Sequence, residues 1–147
     1  MEIREARDSD TNFIYLCLKE LSDDEFFSIE NFKLFVQHKK IFNKDNIKFV
    51  IGSEEGLDFG LLTCNKFFIP RYLGIGIELE EVIILPEFRG KGLVGRFIEK
   101  YFESIKKDQS VRKLIVKTDD KKIASKAYEK VFDKQDHVLF SKKVNYL

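Results

Sequence analysis

The sequence predicts an α/β fold in which a mixed, mostly antiparallel sheet of six to seven strands is flanked by about four helices. Three observations predict it. Apolar residues recur at helical spacing as far as Val36, and from Ile47 the pattern changes to that of strands. The run 82–85 has no polar face, which is typical of a central strand covered on both sides. Residues 93–107 form the clearest helix, because apolar side chains recur there every four positions.

Capping and turn residues place the elements of the N-terminal half. Asp8-Ser9-Asp10 offers capping side chains for a first helix, and Ser28 offers one for a second helix. The segment 53–56 predicts a turn between two strands. The predicted elements are a strand at 3–6, a helix with Phe13, Ile14, Cys17, Leu18 and Leu21 inside, an acidic break at 22–27, a helix with Ile29, Phe32, Phe35 and Val36 inside, and strands at 48–52 and 58–64.

The C-terminal half alternates strands with helices. An aromatic loop is predicted at 65–74 around Pro70, followed by a strand at 75–85 that ends at Pro86. Further elements are the helix at 93–107, a strand at 113–117, a short helix at 123–131 and a closing strand at 138–144. This order predicts a layered α/β protein, and we interpret residues 1–147 as one domain.

Composition and charge exclude several classes of protein. The 26 basic and 25 acidic residues nearly balance, whereas nucleic-acid-binding proteins usually show a basic excess, so no nucleic-acid partner is expected. No apolar run approaches the ~20 residues that span a bilayer, and the charged N-terminus lacks a signal sequence. We therefore expect a cytoplasmic protein without a membrane partner. Cys17 and Cys64 are isolated and predicted to be reduced, and the distant His38 and His137 predict no metal site.

The most informative segment is a glycine-rich, basic turn between the buried strand and the clearest helix. Such a turn presents backbone N–H groups at a helix N-terminus, where the helix dipole favours an anion. Its glycines permit close approach of a ligand to the backbone, and its two cationic side chains add charge, so the turn suits a pyrophosphate. The candidate cofactor-binding residues are Arg89, Gly90, Lys91, Gly92, Leu93, Val94 and Gly95.

Other phosphate-binding loops fit this segment less well. A P-loop requires Lys followed by Ser or Thr, whereas Lys91 is followed by Gly92. The string Gly90-x-Gly92-x-x-Gly95 matches a dinucleotide fingerprint, and Asp119 and Asp120 lie near the end of the next strand, as that motif requires. However, a meander of three strands precedes the loop, whereas a dinucleotide-binding fold normally opens with this motif. A glycine-rich turn without a ligand is the remaining alternative.

Two motifs in this order resemble the GNAT acetyltransferases. Arg89-x-x-Gly92-x-Val94 falls on their Q/R-x-x-G-x-G/A signature, and Ala124-x-x-x-Tyr128-Glu129-Lys130 resembles their Ala-x-x-x-Tyr-Glu-Lys. The resemblance covers almost the whole chain and implies the GNAT fold, with acetyl-CoA as co-substrate. The chain departs from the family pattern at Val94, which replaces Gly or Ala, at Lys121, which replaces Asn, and at Phe132-Asp133, which replaces Gly-Phe.

The resemblance also implies roles for individual residues. The backbone of Val82, Ile83 and Ile84 would pair with the pantetheine arm of the cofactor, and an N–H group there would polarise the acetyl carbonyl. Tyr128 matches the general acid of the family, because a phenol with a pKa near 10 stays protonated at neutral pH and can donate to a thiolate. The alternative for Tyr128 is a packing residue on a helix.

The general base is assigned between two adjacent carboxylates. Strand alternation places Glu80 on the same face as Val82 and Ile84 and places Glu81 on the other face, whereas a β-bulge would invert this assignment. Leu79-Glu80-Glu81 resembles the Leu-Glu-Asp of polyamine acetyltransferases, in which the Glu is the proposed base. We therefore predict Glu80 as the base, with Glu81 as the second choice and an ordinary solvated pair as the third.

The expected reaction is acetylation of the primary amine of a small molecule. Two alternatives stay open: acetylation of a protein N-terminus or lysine, and a catalytically weak, regulatory GNAT domain that binds acyl-CoA. Asp23-Asp24-Glu25 either attracts a cationic acceptor or favours the N-terminus of the second helix. His137 is expected to be a surface residue rather than a substrate contact. A homodimer is compatible with the family, although no residue establishes one.

Overall fold

The computed structural model describes residues 1–117, 128, 129 and 131–133. Five strands form one sheet in the order β1-β2-β3-β4-β5, with antiparallel pairing from β1 to β4 and parallel pairing of β4 with β5. The mixed, mostly antiparallel α/β architecture is therefore confirmed. The elements are β1 (Glu2–Glu5), α1 (Thr11–Lys19), α2 (Ile29–Lys39), β2 (Ile47–Glu54), β3 (Leu57–Ile69), β4 (Gly74–Ile84), α3 (Leu93–Ile105) and β5 (Val111–Val116).

The described residues contain five strands and three α-helices, whereas six to seven strands and about four helices were expected. The expected strand at 138–144 and His137 lie outside the described residues. Most of the expected helix at 123–131 also lies outside them, together with Asp119, Asp120 and Lys121. Of the second GNAT-like motif, only Tyr128 and Glu129 are described.

The expected aromatic loop at 65–74 is wrong, because β3 continues through this segment to Ile69. Its residues pair with the first half of β4, from Asn65 opposite Glu78 to Ile69 opposite Gly74. The cross-strand hydrogen bonds of this register outweigh the loop signal of Pro70, which lies in a single 3-10 turn. The turn expected at 53–56 is also shorter, because only Glu55 and Gly56 link β2 to β3. Both residues have positive φ, as a two-residue hairpin turn of type I′ requires.

Two hydrophobic cores cover the two faces of the sheet. The α3-side core contains Val50, Phe59, Leu62, Cys64, Ile77, Leu79, Ile84, Leu93, Phe97, Ile98 and Tyr101. The α1/α2-side core contains Ile14, Cys17, Phe32, Val36, Ile41, Ile51, Leu61 and Ile83. Adjacent residues such as Ile83 and Ile84 thus enter opposite cores. The apolar run of β4 is covered on both faces, as the sequence predicts.

The two N-terminal helices confirm part of the predicted pattern. Ser28 caps α2, since its hydroxyl accepts a hydrogen bond from the N–H of Asn31 at 3.2 Å. Leu21 and Phe35 were expected inside but are 60% and 51% exposed. Leu21 lies beyond the end of α1, and α2 buries Phe32 and Val36, which leaves Phe35 at the margin of the contact. Asp10 does not cap α1 with its side chain, because its carboxylate binds Arg4 at 2.7 Å and the N–H of Arg7 at 2.8 Å.

The remaining expectations from composition concern cysteines, metals and membranes. Cys17 and Cys64 are free and buried, and burial raises the pKa of the Cys17 thiol to about 12, so it stays protonated at neutral pH. Within the described residues, no three His, Cys, Asp or Glu side chains are placed to hold a metal ion. None of the helices in this part of the chain combines the length and apolar character that crossing a bilayer requires.

Candidate active site

The second half of β4 offers backbone groups to a ligand. β5 pairs with residues 75–79 of β4, and within the described chain no strand pairs with residues 80–84 on that side. On the other side, β3 pairs with β4 as far as Ile84. About half of the N–H and C=O groups of residues 80–84 therefore point away from β3 without a strand partner. This segment contains Val82, Ile83 and Ile84, whose backbone was predicted to bind a cofactor.

The glycine-rich turn connects this strand to the N-terminus of α3. Gly90 and Gly92 have φ values of 78° and 68°, a backbone conformation that favours glycine. At both positions, no described atom other than those of the glycine and its two chain neighbours lies within 4 Å of the point that a Cβ would occupy. Gly92 is the N-cap residue of α3, and no side chain in the described structure caps this helix. The first N–H groups of α3 are therefore available to an anion, in a place that a ligand can approach closely.

The side chain of Arg89 anchors the turn instead of extending toward a ligand. Its Nε donates a hydrogen bond to the carbonyl of Ile84 at 2.9 Å, and its guanidinium binds the Glu20 carboxylate at 2.8 Å. The carboxylate of Glu20 therefore partly offsets the positive charge that Arg89 was expected to add to the turn. The Lys91 ammonium lies 5.5 Å from the centre of the Phe88 ring and supplies the other cation of the turn.

Val94 does not project its branched side chain into the open part of the turn. The side chain is half-buried and packs against the α3-side core, next to the buried Leu93. The core therefore accommodates the side chain that departs from Gly or Ala at this position.

A β-bulge lies where the two candidate base residues stand. Thr63 of β3 is opposite Glu81, whereas the next residue, Cys64, is opposite Leu79. Glu80 is therefore the extra residue of β4, and regular alternation is interrupted there. Beyond the bulge, Val82 and Ile84 contact the α3-side core, whereas Ile83 enters the α1/α2-side core.

The bulge brings both carboxylates to the α1/α2 side of the sheet. On β3, Leu62 and Cys64 enter the α3-side core, so alternation places Thr63 and Asn65 on the opposite face. The Asn65 amide donates a hydrogen bond to Glu80 at 2.9 Å, which places Glu80 on that face too. The prediction that Glu80 shares a face with Val82 and Ile84 is therefore wrong. Glu81, opposite Thr63, faces the α1/α2 side as unbroken alternation also predicts.

The two carboxylates differ in burial and in hydrogen bonding. Glu80 is exposed and bound by Asn65, whereas Glu81 is half-buried and no described residue hydrogen-bonds to its carboxylate. Burial, and secondarily the charge of Glu80, raise the pKa of Glu81 above the ordinary carboxyl value. A carboxylate that is desolvated and unpartnered is better suited to accept a proton than one that is solvated and held.

Tyr128 lies on the α3 side of the molecule. Its half-buried ring packs against the α3-side core and makes an edge-to-face contact with Phe132, with the ring centres 6.2 Å apart. Burial raises the pKa of its phenol, so the hydroxyl stays protonated at neutral pH and can act as a proton donor. Phe132 takes the place of the Gly of the family pattern and supports the Tyr128 ring.

Several residues that sequence reasoning missed contact the candidate site. Asn65 binds Glu80, Glu20 binds Arg89, and Lys117 forms an ion pair with Glu78. A strand assignment that included Asn65 would have placed it near Glu78 and Glu80, but no local signal joins Glu20 to Arg89. The exposed Asp23-Asp24-Glu25 segment is a turn in which Asp24 accepts a hydrogen bond from the N–H of Phe26 at 2.9 Å.

Comparison with solved structures identifies the fold. A possible acetyltransferase from Clostridium difficile 630 aligns over 99% of this chain and 98% of its own, with a TM-score of 0.79 and 18% identity. The complex of AAC(6')-Iy with the bisubstrate analogue CoA-S-monomethyl-acetylneamine aligns over 97% of both chains, with a TM-score of 0.73 and 17% identity. A GNAT family acetyltransferase from Staphylococcus aureus subsp. aureus USA300_TCH1516 aligns over 97% and 98%, with a TM-score of 0.72 and 19% identity.

These similarities are structural rather than sequential. No protein-family model matches the sequence, and no curated protein matches it. The chain nevertheless has the fold of the GNAT acetyltransferases, which confirms the fold that its two motifs predict.

Proposed function

We propose that this chain is an N-acetyltransferase that transfers the acetyl group of acetyl-CoA to a primary amine of a small molecule. One observation carries the proposal. The half of β4 that β5 does not pair runs directly into the open, glycine-rich N-terminus of α3, and a half-buried carboxylate stands at its start. A long ligand with amide groups at one end and a pyrophosphate at the other matches this order: its amides could pair with the strand backbone and its pyrophosphate could bind at the helix N-terminus.

The residues present fit acetyl-CoA as a co-substrate. The free backbone groups of Val82, Ile83 and Ile84 would pair with the amides of the pantetheine arm, as an additional strand does. The pyrophosphate would lie at Gly90 and Gly92, where the space beside the backbone is open at the Cβ positions and no described side chain caps the first N–H groups of α3.

The chemistry requires one proton acceptor and one proton donor. The acceptor amine is mostly ammonium at neutral pH, so Glu81 would take a proton from it, directly or through water. The nitrogen then attacks the thioester carbonyl, the C–N bond forms and the C–S bond breaks. An N–H group of β4 would stabilise the negative charge on the carbonyl oxygen. Tyr128 would donate its proton to the departing sulfur, which leaves as the free thiol, and the second proton that the nitrogen loses on becoming an amide would return to Tyr128.

The preference for a small acceptor rests on the resemblance of Leu79-Glu80-Glu81 to polyamine acetyltransferases. Acetylation of a protein N-terminus or lysine is the alternative reaction. The third alternative is a catalytically weak, regulatory domain that binds acyl-CoA. The branched side chain of Val94 gives it less support, because that side chain packs against the core. A screen of primary amines with acetyl-CoA, following release of free thiol, tests the proposal. We expect free thiol to be released only when a suitable small amine is present. If none of the small amines supports release but peptides with a free amine do, the protein acceptor is favoured.

Acetyl-CoA should raise the melting temperature of the protein. At a concentration one hundred times Kd, binding adds about 2.7 kcal/mol to the free energy of unfolding, which corresponds to several degrees. Gly92→Asp should abolish most of the shift, because a carboxylate would stand against the pyrophosphate. Gly92→Asn, of equal size but neutral, should retain more of it.

Gly56→Asp is the control for backbone strain in this experiment. Gly56 has a φ of 79°, with no described atom within 4 Å of a Cβ position, so the substitution imposes similar strain in the β2–β3 turn. Its melting temperature should fall, but the shift caused by acetyl-CoA should match that of the wild type. No shift for the wild type at excess acetyl-CoA would remove the basis of the proposed function.

A further inference from the structure

Three carboxylates crowd one short stretch of β4. Glu78, Glu80 and Glu81 all face the α1/α2 side, because Glu78 and Glu81 lie opposite Asn65 and Thr63 and Glu80 bonds to Asn65. Like charges on one face of a strand repel one another and compete for the same cation. A site that uses one carboxylate as a base therefore needs the other two to be restrained.

Two of the three carboxylates have a partner of their own. Lys117, which follows β5, forms an ion pair with Glu78. Asn65 lies directly opposite Glu78 in the β3–β4 register, yet its amide donates to Glu80 at 2.9 Å. The bulge makes this contact available, since it adds Glu80 to β4 without a residue opposite it. Glu81, which is more buried than Glu80, is left without a hydrogen-bonding partner among the described residues.

We propose that Asn65 is a positioning residue of the active site: its amide holds Glu80 on the bulge, and so leaves Glu81 as the carboxylate that meets the acceptor amine. The inference rests on the proposed function, and nothing in the GNAT-like motifs of the sequence assigns a role to Asn65.

The chemical reason lies in the protonation state of the acceptor. Two carboxylates beside one ammonium group stabilise its charged form and raise its pKa, so a smaller fraction is neutral and able to attack. The Asn65 amide occupies one oxygen of Glu80 and favours its position at the exposed side of the bulge. Glu81 can then remove the proton without a second carboxylate competing for it.

Three variants test this role through turnover. Asn65→Ala should lower kcat about tenfold, the amount that loss of one hydrogen bond to a charged group corresponds to, with the KM for acetyl-CoA unchanged. Glu80→Gln removes the charge but keeps a hydrogen-bond acceptor for Asn65, so it should lower kcat less than Asn65→Ala does. The double variant Asn65→Ala, Glu80→Gln should recover most of the lost kcat, because the charge that Asn65 restrains is gone. A purely structural role for Asn65 would not give this recovery.

A second measurement is independent of turnover. Denaturant unfolding of the same variants should show that Asn65 and Glu80 are coupled, with the double variant losing less stability than the two single variants together. In a matched cycle, Asn65→Ala is combined with Glu78→Gln, at its direct cross-strand neighbour. The two changes in the free energy of unfolding should be nearly additive. The unfolding measurement also shows whether each variant folds. Asn65→Asp is a second variant that conserves size; its carboxylate should repel Glu80 and lower kcat further.

The outcomes separate this role from the proposed function. An active wild type in which Asn65→Ala is unchanged, or in which Glu80→Gln gives no recovery, overturns the role of Asn65 alone. Lowered turnover without coupling between Asn65 and Glu80 overturns it as well. A folded wild type that transfers acetyl to no amine overturns the proposed function and the positioning role with it.

Discussion

Glu81→Gln should lower kcat by on the order of 10²-fold near neutral pH, the lower end of what general base catalysis contributes. The substitution keeps the size of the side chain and removes its basicity. The loss should shrink as the pH approaches the pKa of the amine, because free amine then becomes abundant without a base. Steady-state kinetics over a pH series, with saturating acetyl-CoA, measures both effects.

The pH profile of the wild type carries a second signature of Glu81. Burial and the charge of Glu80 raise the pKa of Glu81, so the acidic limb should lie above the ordinary carboxyl range and should be absent from the variant. Glu80→Gln is the matched control, since it removes the neighbouring, exposed carboxylate. The opposite pattern, with Glu80→Gln impaired and Glu81→Gln normal, would restore the assignment that unbroken strand alternation predicts. Equal and pH-independent losses would exclude both residues as the base.

The stability of Glu81→Gln should also depend on pH in a defined direction. The folded-state pKa of Glu81 is raised, so the folded protein binds this proton more tightly than the unfolded chain does. Wild-type stability therefore falls as pH rises from the unfolded pKa through the folded pKa of this group. The variant lacks this loss and should be at least as stable as the wild type at neutral pH. A less stable variant there would show that the carboxylate has an attractive partner.

Tyr128→Phe should lower turnover by on the order of 10²-fold or more, because the sulfur would leave without a proton donor. The variant keeps the ring, and therefore its packing against the α3-side core and against Phe132, so the melting temperature should change little. The melting-temperature shift caused by acetyl-CoA should be retained. Single-turnover kinetics with saturating acetyl-CoA would measure the loss at the chemical step.

Tyr101→Phe is the matched control for Tyr128→Phe. Tyr101 also packs in the α3-side core, and its hydroxyl makes a hydrogen bond with the buried Cys64 thiol at 3.1 Å. Removing that hydroxyl should cost about 1 kcal/mol of stability without affecting turnover. If Tyr128→Phe behaved like Tyr101→Phe, with a loss of stability and normal turnover, Tyr128 would be a packing residue.

Much of the fold could be predicted because its signals are local. The helix that begins at Leu93 follows from apolar residues four positions apart, and the capping role of Ser28 follows from its place before an apolar pattern. The glycines of the turn permit a backbone conformation that other residues rarely adopt, and Gly90 and Gly92 have positive φ. Each of these features depends on residues close together in the chain.

The segment around Pro70 shows where local signals misled. A loop was predicted from Phe67, Phe68 and Pro70. Residues 65–69 instead form cross-strand hydrogen bonds with β4, and a short stretch of sequence cannot show this pairing. Asn65 was consequently assigned to a loop, and its contact with Glu80 could not be foreseen. The contact of Arg89 with Glu20 joins residues far apart in sequence and was hidden for the same reason.

The sequence by itself determined the class of fold, the glycine-rich helix terminus and the short list of residues that could act as acid and base. Only the tertiary structure showed that Glu80 and Glu81 differ in burial and in hydrogen-bonding partner, and that both lie on one face of the sheet. The physical reason is the bulge: the extra residue, Glu80, interrupts the alternation of faces along β4, and its position is set by pairing with β3. The alternation of residue types along β4 alone does not show that Glu80 has no residue opposite it on β3.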